Sequence, residues 1–347
     1  MPRPRNRRQG IDAPVKLRIF LAVCLAVLIL ATATGAWFHH ALWGTQSISR
    51  VEMRVFAGST AREILAGLQN DGLLSSELAG RLYLRGWARG RSFHYGRYVF
   101  APGSRPVDVI ETILDGRVEM FELTIIEGSE AENIGEQFVA LGVGSADRWG
   151  ALTDNTDWIA DLAPEAPSLE GFLFPDTYRF AVGIPLERAA RHLVERFEEV
   201  WRQEAQGVDE PWGSVFEVVT LASLVEAETS IDEERARIAG LFVNRLRRGM
   251  LLQCDPTVVY ALKRRNEWRG RLYRIHWEID HPYNTYRNPG LPPGPINSPG
   301  RAALAAALHP ESTPYLYFVA QPGGGHAFSR TLTEHNRAVA RLRQAGR

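Results

Sequence analysis

The chain has 347 residues, 45% of them hydrophobic and 23% charged, which is enough for two modest cores and rules out wholesale disorder. Its formal charge is zero, yet the first eighteen residues hold six basic side chains against Asp12 alone, leaving 34 basic and 39 acidic residues for the rest. A mildly acidic body without a basic stripe argues against a nucleic-acid partner.

Residues 1–18 form a basic tail. Residues 19–38, IFLAVCLAVLILATATGAWF, carry no charge, and about 20 apolar residues suffice to cross the hydrocarbon of a bilayer. The basic cluster lies before this run, and Trp37 and Trp43 lie at its far end. The positive-inside rule then places the N-terminus in the cytoplasm and everything beyond about residue 45 outside, on a single-pass anchor in the inner (plasma) membrane. A cleaved signal peptide would use Ala31-Thr32-Ala33, but the basic region is long and the apolar run continues past that site. A buried core helix is disfavoured by the charge asymmetry. Cys24 falls inside the span, so Cys254 has no partner in the exported part, and a core rather than a disulfide framework must hold the fold.

Residues 51–134 repeat weakly. VEMRVFAGSTAREI (51–64) aligns without gaps on FELTIIEGSEAENI (121–134), and YVFAPGSRPVDVI is a looser middle copy around Gly103-Ser104. Each copy predicts a strand ending in Gly, then Ser capping a helix. Such units resemble LysM, a small carbohydrate-binding module, although a plain α+β spacer fits equally well. EGFLFPDTYRF (170–180) predicts an aromatic loop, and residues 186–203 an amphipathic helix. Residues 215–229 predict a buried helix, with a strand possible at the β-branched start. Ser230 with Glu233 predicts a capping box for a helix stopping at Gly249. Ser298-Pro299 predicts a helix start, residues 315–329 a hairpin, and Thr331 with Glu334 the cap of a last helix. The fold class expected is α+β.

The common catalytic motifs are absent: no GxSxG, HExxH, P-loop or dinucleotide fingerprint occurs. His276 and His281, with Glu278 and Asp280, match no standard metal spacing, and neither metal nor cofactor is expected. Cys254 beside Asp255, with His281 and Asn284 downstream, imitates a cysteine-nucleophile set only in chain order, and a packing thiol is the commoner case. LASLVEAET (221–229) stands out because Glu226 follows five apolar or small residues. Burial raises a carboxyl pKa, which lets a Glu hold a proton at neutral pH and deliver it to a leaving oxygen. Glu228 lies about 200° further round a helix, so only one of the two faces a given cleft. Spacing does not choose between them, and a Glu satisfied by Arg245 or a helix N-terminus is a structural alternative.

LASLVEAET is also where the sequence resembles the endolytic murein transglycosylases, the MltG or YceG-like family. The likeness continues through EGFLFPDTY (170–178), FVNRLRRGMLLQCDPTVVY (242–260), HPYNTYRNPGLPPGPINSPG (281–300), HPESTPYLYFVA (309–320) and HAFS…EHN (326–336). It spans roughly residues 45–340 and implies a basic tail (1–18), a transmembrane helix (19–38), a LysM-like region (45–135) and a catalytic domain (136–347, core about 212–340). The resemblance assigns the general acid/base role to Glu226. Gln253, Asp255, Asn284, Tyr286, Ser298 and Asp176 become candidates for binding sugar or orienting that Glu. The chemistry implied is cleavage of the bond between N-acetylmuramic acid and N-acetylglucosamine by one carboxylate. The sugar's own 6-hydroxyl attacks C1, giving a 1,6-anhydro end in nascent glycan strands and terminating them beside peptidoglycan synthases. Cys254 departs from the hydroxyl residue more familiar before Asp-Pro-Thr. The competing functions are a non-catalytic glycan-binding scaffold and a hydrolase with Asp255 or Asp176 as second carboxylate.

Overall fold

The structure, a computed structural model, describes residues 13–46, 50–56, 58–208 and 211–345; most of the basic tail lies outside them. Contacts divide the chain into two units. One runs to Met120 and includes Ala181–Gly183; the other comprises Phe121–Phe180 and Ile184–Arg347.

In the first unit, α1 (Ala13–Trp43) outlasts the uncharged run because nothing breaks the helix before Gly44. Its segment Lys16–Trp43 is long and apolar enough to cross a membrane. Then follow β1 (Val51–Val55), α2 (Ala61–Asn70), α3 (Glu77–Gly86), β2 (Gly96–Phe100) and α4 (Pro106–Leu114). β1 and β2 pair antiparallel, Val51 opposite Phe100 and Val55 opposite Gly96. Leu65, Leu68, Leu73, Tyr98 and Ile110 form a core that also takes in Ala41 and Leu42 from the last turn of α1.

The second unit opens with β3 (Met120–Thr124), whose first residue belongs to the first unit, then α5 (Ala131–Ala140) and α6 (Ala146–Thr153). β4 (Thr177–Ala181) pairs with β3, so the end of the expected aromatic loop is a strand. α7 (Leu186–Glu204), α8 (Val215–Glu228), α9 (Asp232–Arg247), α10 (Asp255–Arg264) and α11 (Arg301–Leu308) follow. β5 (Tyr317–Ala320) and β6 (His326–Ser329) form the expected hairpin, and α12 (Leu332–Ala345) closes the chain, capped by Thr331 and Glu334. α8 is the central helix: Leu221, Ala222, Leu224 and Val225 are fully buried, and α9 and α11 pack on it. Its start is helical, not extended, because Ser214 and Glu217 make a capping box that offsets the β-branched residues.

Three local expectations are corrected. The repeats share glycine because Gly58, Gly103 and Gly128 all adopt positive φ (86°, 79° and 79°). The serines after them cap no helix, however. Thr60 caps α2, while the Ser104 and Ser129 hydroxyls donate back to the carbonyls of Ala101 and Ile126, closing the turns. α9 starts after Ile231 without a Ser230 cap; Thr229 Oγ1 accepts from the Ile231 N–H instead. α11 starts after Gly300, two residues beyond Ser298, which is fully buried.

Candidate active site

The last turn of α8 carries two acids that diverge. Glu226 turns toward α9 and α11: Oε1 accepts from Arg235 Nη1 at 3.0 Å and Oε2 from the Gly300 N–H at 2.9 Å. Both side chains of this ion pair are almost sealed, 7% exposed for Glu226 and 6% for Arg235, and Arg235 also reaches Asp232 at 3.0 Å. Gly300 is the N-cap of α11, so Glu226 satisfies an otherwise orphaned donor at a positive helix end. Glu127 packs its carboxylate against the Cα of Gly300. Burial, and then the charge of Glu226, raise its pKa.

Glu228 turns the other way, into a cavity of about 370 Å³ that it shares with Arg245, Gln253, Asp255, Tyr286, Tyr317, His326 and His335. Burial pushes its carboxyl up to about 7 and the charge of Asp255 adds to that, while a hydrogen bond from the Cys254 thiol, His326 and Arg245 pull it down. At that value Glu228 is part protonated and part ionised at neutral pH, the condition for giving and retaking a proton.

The cavity walls are held from several sides. Asp255, in the first turn of α10, accepts from Tyr286 Oη at 2.6 Å and Trp277 Nε1 at 2.9 Å on the same oxygen, and those two rings stack 5.1 Å apart. Gln253 sits in the left-handed region (φ 49°) and is pinned through its N–H to the Thr285 carbonyl. Arg245 spends its guanidinium on the carbonyls of Leu316 and Leu252 and lies over the Tyr317 ring. Glu234 grips His326 twice, at the backbone N–H and at Nδ1. These bonds hold the Glu234 carboxyl below its ordinary pKa against the opposing effect of burial. Cys254 is fully buried, and burial followed by the charge of Glu228 raises its thiol pKa, so it stays a protonated donor. A second hollow of about 400 Å³ also meets Asp255 and is lined by Gly128, Glu130, Ala227, Tyr260 and Lys263.

Of the residues singled out by sequence, Gln253, Asp255 and Tyr286 therefore come together, and they do so around Glu228. Asn284 is fully buried and gives its amide to the carbonyls of Trp277 and Ile279, shaping the loop. Ser298 is sealed below Gly128, exchanging backbone hydrogen bonds through Ser129 and Gly128. Asp176 is bound to Arg196 at 2.9 Å and to its neighbour's N–H, away from the cavity. His276 and His281 each accept a loop backbone N–H, from Tyr273 and Tyr283.

Residues 53–341 match the YceG-like family. The chain belongs to that family. It is 32% identical over 308 residues to an endolytic murein transglycosylase of Bacillus subtilis, covering 84% of each protein. A Streptococcus pneumoniae protein of the same name is 27% identical over 312 residues, covering 82% of this chain and 56% of that protein. The crystal structure of a YceG-like protein of Listeria monocytogenes aligns with a TM-score of 0.55 at 29% identity, covering 83% of this chain and 98% of that one.

Within this family member, sequence reasoning passed over His326, Arg245, Tyr317 and His335 as site residues. They reach the cavity from α9, the hairpin and α12, and all four stand inside the motifs that carry the resemblance: Arg245 in FVNRLRRGMLLQCDPTVVY, Tyr317 in HPESTPYLYFVA, and His326 and His335 in HAFS…EHN. Arg245 had been considered as a structural partner for a Glu. Its proximity to Glu228 is invisible in a chain where 17 positions separate them.

Proposed function

We propose that this chain is a membrane-anchored, endolytic lytic transglycosylase of peptidoglycan whose general acid and base is Glu228, in preference to the Glu226 that the resemblance assigns. The observation that carries this is the divergence of the two acids: Glu228 meets a solvent-reaching cavity with its pKa raised to about 7, whereas Glu226 is committed to Arg235 and Gly300. With one oxygen accepting from Arg235 and the other from the Gly300 N–H, Glu226 already has a partner on each carboxylate oxygen.

In the proposed reaction, protonated Glu228 gives its proton to the glycosidic oxygen between N-acetylmuramic acid and N-acetylglucosamine as the C1–O bond breaks. The 6-hydroxyl of the muramic acid closes on C1, and Glu228, now a carboxylate, takes the proton that this hydroxyl loses. The enzyme ends as it began, and no water is consumed. Intramolecular attack supplies a high effective molarity, so no second carboxylate is required as nucleophile. Asp255 lines both hollows and is fixed by Tyr286 and Trp277, and a strand laid across both would pass beside it, an arrangement that suits cleavage within a chain rather than at its end. An anchored enzyme meets glycan close to the membrane, where synthases elongate it, and cleavage there terminates the strand.

The test is mass spectrometry of glycan released by the full chain in detergent, in water labelled with ¹⁸O. The expected products end in 1,6-anhydro-muramic acid without label. Labelled reducing ends would instead favour hydrolysis with Asp255 as second carboxylate, the reading supported by its place in the same cavity. Binding with no product at all would leave a glycan-binding scaffold.

A further inference from the structure

The first unit grips α1 without a hinge. Ala41 and Leu42 are buried in its core, and Ser75 Oγ donates to the Ala41 carbonyl at 3.1 Å. Phe38 stacks on Trp87, just past the end of α3, with ring centroids 5.7 Å apart, and Trp87 in turn stacks on Tyr83. Trp43 meets Tyr83 edge-on. The last turns of α1 and the end of α3 are thus one aromatic cluster.

This cluster fixes a depth. The uncharged run of α1 ends at Phe38, and Trp43 lies about 7 Å further along the helix axis at about 1.5 Å per residue. If α1 spans a bilayer, Phe38 stands at the edge of the hydrocarbon and Trp43 within the headgroups, which occupy roughly 5–8 Å on each side. A ring stacked on Phe38 must share its level. Yet Trp87 is 69% exposed, and Leu78 and Leu82, one helical turn apart on α3, are 51% and 42% exposed. Arg85 and Arg89, two positions before and after Trp87 in the chain, are exposed as well. Nearby Arg91, by contrast, is committed to Glu111 and Asp115. An exposed Trp between arginines, held at the level of a span's end, has the composition of a membrane–water interface.

We propose that the end of α3, centred on Trp87, is a second membrane contact that lies in the headgroup layer of the outer leaflet. Arg85 and Arg89 face anionic lipid phosphates. The proposal rests on the reading of α1 as a retained span. It makes the first unit a footing laid against the bilayer rather than a domain swinging on a stalk.

The experiment uses the full chain carrying Cys24→Ala, reconstituted in nanodiscs of phosphatidylethanolamine and phosphatidylglycerol. Single nitroxide labels are placed through Trp87→Cys, Arg89→Cys, Val27→Cys within α1 and Arg62→Cys on the exposed face of α2. Power saturation compares collisions with oxygen, which concentrates in lipid, and with a water-soluble nickel chelate. Position 27 should favour oxygen and position 62 nickel, with positions 87 and 89 between them at headgroup depth. Nickel access at 87 and 89 equal to that at 62, with 27 still in lipid, overturns the second contact alone. Nickel access at 27 overturns the span and the contact with it. Because a label at 87 removes the stacked ring, an unlabelled control is added: lipids brominated near the headgroup should quench the parent protein more than its Trp87→Phe variant. Equal quenching of the two counts against the proposal.

Discussion

Two glutamates two residues apart face opposite ways at the end of α8, and substitution tests what each does. Glu228→Gln should lower glycan cleavage by at least roughly 10²–10⁴-fold, as for loss of a general acid and base. It should also stabilise the fold near neutral pH. A carboxyl whose folded pKa is raised from 4.5 to about 7 costs stability as pH climbs through that window; the full effect is on the order of 3 kcal/mol. Thermal melts should therefore show Glu228→Gln gaining over the parent at pH 8 and gaining nothing at pH 4. Glu226→Gln should do the reverse, retaining chemistry where folded but losing on the order of 3 kcal/mol, because Arg235 stays buried with only the exposed Asp232 to answer it. A folded, inactive Glu226→Gln beside an active Glu228→Gln would return the catalytic role to Glu226. Cys254 offers a finer probe. A hydroxyl donates more strongly than a thiol to the Glu228 carboxylate, so Cys254→Ser should move the alkaline limb of the pH–rate profile down, and Cys254→Ala should move it up. Equal limbs in all three proteins would reduce Cys254 to packing.

At the scale of elements, the site depends on how closely helices approach α8. α9 carries Gly240 in its interior, where glycine ordinarily costs about 1 kcal/mol against alanine. Here the chain at Glu311 crosses directly over its Cα, and the Glu311 N–H donates to the Ala236 carbonyl at 2.8 Å. A methyl group would strike the Glu311 carbonyl. Gly240→Ala, stabilising in an isolated helix, should thus destabilise this protein by roughly 1–3 kcal/mol in urea unfolding. A gain in stability would show that the crossing has slack. Near α5, Glu170 is a buried carboxylate that receives the Ala131 N–H, Arg264 and, more distantly, Tyr260. Burial raises its pKa to about 7 despite those partners. The EGFLFPDTY motif thereby contributes a structural acid, beside its turn and strand.

At the scale of the molecule, the two units have separate hydrophobic cores, one built on β1, β2 and α2–α4 and one on α8. Separate cores need not melt together. Calorimetry of the full chain in detergent should resolve two transitions, and Gly240→Ala should lower one and leave the other. The charge asymmetry about α1 leads to a topological expectation: a reporter fused after Arg347 should be active only outside the cytoplasm, and the intact chain should resist alkaline extraction. Recovery as a shortened soluble protein would identify Ala33 as a cleavage site.

The uncharged run, the helical periods, the turn glycines and the family motifs were legible from sequence, because each is a local pattern in which neighbouring residues state their own constraint. So was the location of the acid pair, since an ionisable group after a run of apolar residues is costly wherever that segment is buried. What sequence left open was the side of α8 each acid occupies and what waits there. Arg235, nine residues on, and the Gly300 N–H, seventy-four residues on, claim Glu226. Cys254, Asp255 and His326 surround Glu228. Helix starts failed in the same way: serines at 230 and 298 look like caps, but the chain's path gives those roles to the Thr229 hydroxyl and to Gly300. What a carboxyl can do is set by burial and by the partners brought near it in space, so only the tertiary fold separates two like carboxylates in one motif.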